Sequence, residues 1–328
     1  MLPELIPVAA EASAVVSAEA LAAFADFDAC AGAVCREIAA RYRSGAPQAA
    51  CAMSLVSAIV AEDSGDAGAC ASSRYCDDPM FRMLDRCAAG LPAFIEGRLS
   101  GVDVIFPKGE RRLWADVQGR SLHMAGYGRL LGAAVRALMP ASGQILEIGA
   151  GSGSATAALL DRVGGQAPVR YVVSDISPTL LRDARARFAE AKLGYAIHDF
   201  TRPAGEQGLA GQRFELVFGV NALHCAADVR AALRNTLALV RPSGYLILAE
   251  GARPASGRVW RPELIFALLP GWWQVLTDPR IRPDPGFLSG AAWAELLTDV
   301  GCPPVDMLPL GSAATLVIGY LIVARKVG

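Results

Sequence analysis

The first third of the chain carries apolar residues at the three- and four-residue spacing of an α-helix. This spacing predicts helices over Glu11–Tyr42, about residues 47–61 and Met80–Arg98. Glycine, serine and aspartate are frequent in Glu62–Cys76, so this segment is predicted to be a loop. The pattern therefore predicts a helical N-terminal lobe over residues 1–110.

From residue 145 onward, short β-rich runs alternate with amphipathic segments. The predicted strands are Gln144–Ile148, Arg170–Ser174, Tyr195–Ile197, Glu215–Gly219 and Tyr245–Ala249. Helices are predicted at Ser154–Val163, after Ser177-Pro178 and at Asp228–Val240. Strands that alternate with helices indicate a parallel sheet covered on both faces, so we predict a doubly wound α/β fold over residues 111–328.

Composition narrows the classes of protein that the chain can belong to. Of its 328 residues, 53% are hydrophobic and 19% are charged, which indicates a folded protein with a substantial core. The 31 basic and 32 acidic residues nearly balance, which removes the electrostatic argument for a nucleic-acid partner. The longest apolar run, Ala313–Ala324, is too short to span a membrane and is predicted to be a buried strand.

The cysteines and the N-terminus indicate a cytoplasmic protein. No basic segment precedes the apolar residues after Met1, so no secretory signal is evident. The eight cysteines show neither a CxxC pair nor a Cys/His spacing typical of metal ligands. We expect reduced, mostly buried thiols and no metal site.

A glycine-rich turn joins the first predicted strand to the next helix. It reads Glu147-Ile148-Gly149-Ala150-Gly151-Ser152-Gly153, and such a turn lets a ligand approach the backbone and the start of the helix. Asp175 ends the following strand, where a carboxylate can accept hydrogen bonds from both ribose hydroxyls of an adenosine. Ser154 stands where a dinucleotide fold has its last glycine, which favours a ligand without phosphates.

A histidine and a glutamate follow two neighbouring predicted strands. His224 comes just after the fourth strand and Glu250 closes the fifth. Because neighbouring strands lie about 4.8 Å apart, both residues should emerge at the same edge of the sheet. A carboxylate bound to one ring nitrogen leaves the other as a general base, so we predict a catalytic pair.

The residues Glu147 to Gly153, followed by Asp175 and by His198-Asp199-Phe200, resemble the class I S-adenosylmethionine (SAM) dependent methyltransferases. The resemblance implies a mostly parallel seven-stranded sheet, with SAM as cofactor and S-adenosylhomocysteine (SAH) as product. In that family an acid after the third strand faces the adenine amino group beside an apolar residue. The cofactor-contacting positions that the resemblance implies are Glu147, Gly149, Gly151, Gly153, Asp175, Ile176, Asp199, Phe200 and Asn221.

Further motifs are similar to the C-methyltransferase domains of polyketide synthases. They include Val102–Glu110, Gly126-Tyr127-Gly128, Asn221-Ala222-Leu223-His224, Leu268–Trp273, Arg282 and Leu288–Leu297. Such domains methylate the α-carbon of a β-ketoacyl chain on an acyl carrier protein, using a histidine–glutamate pair. The resemblance places His224 and Glu250 at those positions, and Tyr127 and Asn221 are candidate donors to the enolate oxygen, although Tyr127 equally fits a core aromatic.

The remaining expectations concern substrate and partners. Residues 251–304 are expected to form a substrate-side insert of the catalytic domain, and the N-terminal lobe to act as a lid. Phe266, Trp272 and Trp273 are expected to divide between core and acyl channel. Carrier proteins are acidic, so a docking patch would be basic; the candidates are Lys108, Arg111 and Arg112. Two alternatives stay open: an O-methyltransferase acting on a carrier-bound hydroxyl or enol, and a noncatalytic scaffold of the same fold.

Overall fold

A seven-stranded sheet organises the larger part of the chain. The computed structural model describes residues 1–15, 17–46, 49–62, 74–165, 169–253, 259–312 and 316–327. Its strands are β1 Gln144–Glu147, β2 Arg170–Asp175, β3 Leu193–Ile197, β4 Phe214–Val220, β5 Val240–Gly251, β6 Pro304–Ser312 and β7 Leu316–Arg325. The strand order is β3-β2-β1-β4-β5-β7-β6, and β7 runs antiparallel to both β5 and β6. The predicted doubly wound α/β class is confirmed.

Twelve α-helices lie within the described ranges. They are α1 Ile6–Val15, α2 Ala18–Arg41, α3 Ala50–Glu62, α4 Pro79–Ile95, α5 Gly101–Ile105, α6 Arg112–Arg120, α7 Ala125–Leu138, α8 Ser154–Arg162, α9 Pro178–Arg187, α10 Val229–Leu239, α11 Glu263–Phe266 and α12 Gly290–Asp299. Side-chain caps set several of the starts. Ser177 accepts a hydrogen bond from Leu180 N at 3.3 Å to begin α9, and Asp228 accepts one from Ala231 N at 2.9 Å to begin α10.

The chain divides into two units, at boundaries that differ from the predicted 1–110 and 111–328. The sheet unit contains Met1–Val16, Gly126–Ala252 and Leu276–Gly328, and the helical unit contains Ser17–Ala125 and Arg253–Val275. Helix α1 belongs to the sheet unit, where it packs against β6 and where Glu11 pairs with Arg162 of α8 at 2.6 Å. The predicted insert 251–304 is divided between the two units.

Some predictions fall partly outside the described residues. Most of the predicted loop Glu62–Cys76, the start of the helix predicted over residues 47–61 and the first three residues of the predicted strand Ala313–Ala324 belong to those parts. Over the described ranges, no helix combines the length and the apolar character that crossing a membrane requires. The seven cysteines among the described residues are free thiols.

The order of the parallel strands determines where a ligand site forms. Chain order runs one way from β1 through β2 to β3 and the other way from β4 to β5, so the direction reverses between β1 and β4. In open α/β sheets the crevice lies at the carboxyl ends of the strands at such a switch point. The loops that follow β1 and β4 therefore define the place to look for a site.

Candidate active site

The turn after β1 has positive φ angles, which glycine adopts readily and most other residues do not. Gly149, Gly151 and Gly153 have φ values of +59°, +56° and +77°. A Cβ added to Gly149 would lie 2.8 Å from the Ala222 Cβ, and one added to Gly153 would lie 2.6 Å from the Phe188 ring. The glycines thus keep open a tight turn between β1 and α8, and Gly149 brings this turn against the loop after β4.

Asp175 connects the glycine turn to the end of β2. Its Oδ2 accepts a hydrogen bond from Gly151 N and its Oδ1 accepts one from Ser177 N, both at 2.8 Å. A carboxylate has about four acceptor positions, so each oxygen retains capacity for one more donor. Ile176, the next residue, is apolar and 62% exposed. An acidic group with spare acceptors beside an exposed apolar side chain fits the ribose and adenine of SAM.

Asp199 and Phe200 follow β3 and complete the same region. Phe200 Cε1 lies 3.6 Å from the position that a Cβ on Gly149 would occupy. The Asp199 Oδ1 accepts hydrogen bonds from Thr201 N at 2.9 Å and Thr201 Oγ1 at 2.6 Å, which fixes the carboxylate in a short turn. The structure therefore brings Phe200 to the glycine turn.

Glu147 differs from its predicted role as a cofactor ligand. Its side chain is buried, and its Oε2 accepts hydrogen bonds from Thr156 Oγ1 at 2.6 Å and from the Tyr171 hydroxyl. Burial raises the pKa of this carboxyl to about 7, although the bonds from Thr156 and Tyr171 lower it. Thr156 lies in α8 and Tyr171 lies in β2, so the geometry assigns Glu147 to the packing of β1, β2 and α8.

His224 and Glu250 meet as predicted at the shared edge of β4 and β5, whose register pairs Val220 with Ala249. The His224 Nδ1 lies 2.6 Å from the Glu250 Oε2. Glu250 is 0% exposed, and its Oε1 accepts hydrogen bonds from Ala222 N at 3.1 Å and Leu223 N at 3.0 Å. The carboxylate assigns the proton to Nδ1, which leaves Nε2 available as an acceptor.

The surroundings of His224 favour a strongly basic imidazole. Burial lowers the pKa of His224, but Cys225 and Glu250 raise it by more, so it lies above its ordinary value of 6.5. Glu250 contacts the Nδ1 atom directly, at 2.6 Å. An imidazole held this way accepts a proton readily at Nε2.

Asn221 has an amide nitrogen with no partner among the described atoms. Its backbone adopts φ of 45°, and its Oδ1 accepts a hydrogen bond from Gly251 N at 2.7 Å. That bond fixes the orientation of the amide, so the Nδ2 group is a buried donor without an acceptor. A ligand oxygen would supply the missing acceptor.

Tyr127 is committed to the core, which contradicts its use as a donor to substrate. Its ring is fully buried, and its hydroxyl donates to the backbone oxygen of Ile318 in β7. Burial and the charge of Glu250 raise the pKa of the hydroxyl above its ordinary value. Of the two interpretations open for Tyr127, the geometry supports the core aromatic.

Sequence reasoning missed the residues that support His224. The Arg282 guanidinium, 4% exposed, donates from Nη1 to the backbone oxygens of His224 at 3.1 Å and Ala226 at 3.4 Å, and from Nη2 to that of Gly286 at 2.9 Å. The Phe287 ring lies 4.7 Å from the imidazole, between ring centroids. Arg282 is among the residues that resemble the C-methyltransferase domains, but a contact that spans 58 residues leaves no local pattern from which its role could be predicted.

The aromatic residues predicted for the acyl channel lie in the helical unit. Phe266 stacks on Trp272, with ring centroids 5.5 Å apart and planes 23° apart, and Trp114 packs edge-on against Phe266 at 5.8 Å. The Trp273 Nε1 donates to the backbone oxygen of Ala267 at 2.7 Å. These contacts form an aromatic cluster, and a role in substrate binding stays a prediction.

The sheet order, the glycine turn and the acidic residues after β2 and β3 define the class I methyltransferase fold. Comparison with known proteins agrees, since residues 146–246 match the methyltransferase domain family. Polyketide synthase ThaG of Burkholderia thailandensis is 33% identical over 268 residues, which cover 77% of this chain and 4% of ThaG. The chain spans between 4% and 10% of the length of curated relatives such as this one.

Solved structures show the same fold over nearly the whole chain. The CurJ carbon methyltransferase has a TM-score of 0.82 at 22% identity, covering 99% of this chain and 97% of its own. The trans-methyltransferase CalH, in complex with SAH, has a TM-score of 0.73 at 21% identity, covering 96% of this chain and 92% of its own. The chain is a SAM-dependent methyltransferase, and its predicted resemblance to the C-methyltransferase domains of polyketide synthases is confirmed.

Proposed function

We propose that the chain methylates the α-carbon of a β-ketoacyl thioester carried by an acyl carrier protein during polyketide synthesis. The observation that carries this proposal is the contact between His224 and Glu250 at the carboxyl ends of β4 and β5. It supplies a general base beside the turn that fits SAM. The resemblance to the CurJ carbon methyltransferase supports a carbon acceptor, and the resemblance to polyketide synthase ThaG supports a place in polyketide synthesis.

Several residues would hold the cofactor on the β1 side of the crevice. Asp175 would accept hydrogen bonds from the ribose, while Ile176 and Phe200 would contact the adenine and Asp199 would accept from its amino group. The glycine turn leaves open space beside Gly151, where an added Cβ would meet only the backbone oxygen of Gly149, at 3.9 Å, among the described atoms. When bound, SAM supplies an electrophilic methyl group on a sulfonium.

His224 would remove the acidic proton of the substrate. A carbon between a ketone and a thioester is acidic enough for an imidazole to deprotonate it, and Nε2 is the acceptor nitrogen. Glu250 would stabilise the imidazolium through Nδ1, at the 2.6 Å contact. Because the two backbone N–H groups on Glu250 Oε1 hold the carboxylate, the imidazole keeps one orientation.

Asn221 would stabilise the negative charge that develops on the enolate oxygen. Its Nδ2 is a buried donor whose direction is already set by the bond between Oδ1 and Gly251 N. Donors held in place before the reaction stabilise developing charge without reorganisation. Tyr127 has no part in this proposal, because its hydroxyl proton is bound to Ile318.

The test incubates the full chain with SAM and a β-ketoacyl carrier protein and locates the added methyl by tandem mass spectrometry. We expect a methyl on carbon. We also expect His224→Gln to retain SAH binding in calorimetry while turnover falls by about 10² to 10⁴. Exchange of the α-hydrogen with D₂O, measured with SAH present, isolates the proton-removal step and should fall in parallel.

His123→Leu is the matched control, because it removes a histidine that has no hydrogen-bond partner among the described residues. It should leave turnover unchanged. A methyl found on oxygen would support the O-methyltransferase alternative, and failure of the native chain to bind SAM would support the scaffold alternative. Full turnover by folded His224→Gln would remove the histidine from the mechanism.

A further inference from the structure

Cys225 lies at the acceptor nitrogen of His224. Its Sγ is 3.4 Å from His224 Nε2, within hydrogen-bonding distance for sulfur, while Nδ1 of the same ring contacts Glu250 at 2.6 Å. Three side chains thus form a continuous relay from a buried carboxylate through an imidazole to a thiol. A nucleophile beside a base that a third group orients is the recurring arrangement of covalent catalysis.

The thiol is also accessible. Cys225 is exposed, whereas the His224 and Glu250 side chains that act on it are buried. Cys30, Cys35, Cys87 and Cys302 are buried, so among the described cysteines only Cys51 and Cys76 share its exposure. Cys225 is the one of these three whose sulfur contacts an imidazole.

We infer that Cys225 is a site of covalent modification by soft carbon electrophiles, in particular α,β-unsaturated carbonyl compounds. His224 Nε2 takes the thiol proton as Sγ attacks the β-carbon of the alkene. The new S–C bond forms, the π electrons of the C=C bond move to the α-carbon, and that carbon takes the proton back from His224. The product is a thioether, and no oxidant or further reactant is consumed.

Modification of Cys225 would also affect methyl transfer, and this part of the inference rests on the proposed function. Nε2 is the nitrogen that would remove the substrate proton, and the modified sulfur would stay 3.4 Å from it. An adduct at this distance occupies the space that the α-carbon of a substrate must enter. Modification of Cys225 should therefore stop methyl transfer.

The probe is N-ethylmaleimide, which is itself an α,β-unsaturated carbonyl compound. The full chain is treated with a limiting amount at several pH values from about 6.5 to about 9, so that the protonation of His224 is sampled, then quenched with excess thiol, digested and analysed by peptide mass spectrometry. Cys51 and Cys76 serve as exposed references in the same sample. We expect Cys225 to react at least about tenfold faster than either reference, because only its thiol has an adjacent base.

Two variants test the relay itself. His224→Gln should reduce the labelling rate of Cys225 to that of Cys51, and Glu250→Gln should reduce it partly, since the imidazole remains but loses its carboxylate. Circular dichroism and unchanged labelling of Cys51 confirm that each variant is folded. Labelling of Cys225 no faster than the references, or as fast in folded His224→Gln as in the native chain, would overturn the inference.

The effect on turnover is measured separately. The native chain should lose methyl transfer in proportion to the Cys225 thioether, and Cys225→Ala should keep its own starting rate after the same treatment. Selective labelling in a chain that never transfers a methyl group would refute the proposed function and leave the modification site standing. Loss of turnover that follows labelling at Cys51 or Cys76 would instead refute the role given to Cys225.

Discussion

Replacing Glu147 with glutamine tests whether this buried carboxyl serves the fold or the ligand. In the native protein burial raises its pKa from 4.5 to about 7. At about 1.4 kcal/mol per pH unit, ionising the folded protein becomes less favourable by about 3 kcal/mol relative to the unfolded chain. Glutamine has the shape of the neutral acid and does not ionise, so Glu147→Gln should lack this pH dependence.

The direction of the pKa change determines whether the free energy of unfolding rises or falls with pH. Below about pH 4.5 the carboxyl is protonated in both states. Between about pH 4.5 and pH 7 it ionises in the unfolded chain first, so the free energy of unfolding falls as the pH rises. Above that range both states are ionised and the loss is complete. From about pH 5 to about pH 8, the native protein should lose about 2 to 3 kcal/mol relative to Glu147→Gln.

The assay is urea unfolding followed by circular dichroism at both pH values, with Glu4→Gln as the control at an exposed carboxylate. SAH binding by calorimetry is the second measurement, and Glu147→Gln should keep the native affinity within about threefold, a difference below 1 kcal/mol. Parallel stability curves for the native protein and Glu147→Gln would refute the burial argument. A large loss of SAH affinity would restore Glu147 as a cofactor ligand.

Three further predictions concern other residues. Asp175→Ala should weaken SAH binding by about 1 to 3 kcal/mol in calorimetry with little change in circular dichroism, because it removes the ribose acceptors; unchanged affinity would count against that assignment. Arg282→Lys should lower kcat by about tenfold or more and keep SAH affinity, since a single ammonium nitrogen cannot replace the two guanidinium nitrogens that reach three separate backbone oxygens. An unchanged kcat and pH profile would contradict the positioning role. His123→Leu should reduce the loss of stability on acidification below about pH 6.5, because burial lowers the pKa of His123 from 6.5 to about 3. Urea titrations of both proteins at about pH 4 and about pH 7 measure this difference in the free energy of unfolding.

The parts of the site that lie directly after strands could be predicted from the sequence. The glycine turn, Asp175 and the His224–Glu250 pair each occupy a strand end, and parallel strands bring their carboxyl ends to one edge. The prediction of the pair needed the adjacency of the fourth and fifth strands but not their exact register. Its predicted contact agrees with the 2.6 Å distance in the structure.

The side-chain directions could not be predicted in the same way. Glu147 pairs with Val173 in the β1–β2 register, which places Tyr171 diagonally on the same face of the sheet. A shift of one residue would have turned the carboxyl to the other face. Tyr127 reaches Ile318 across 191 residues, and no local pattern reports a contact of that span.

Residues 1–15 affect where the chain can be divided into separate parts. Asp306 Oδ2 in β6 accepts a hydrogen bond from Leu2 N at 2.7 Å, and Glu11 of α1 pairs with Arg162 of α8. The polypeptide thus starts in the sheet unit, leaves it at residue 17, returns at residue 126, and makes a second excursion over residues 253–275. Deletion of the N-terminal third would remove α1 from the sheet unit together with most of the helical unit. A truncation or domain exchange should therefore keep residues 1–15 together with the sheet unit.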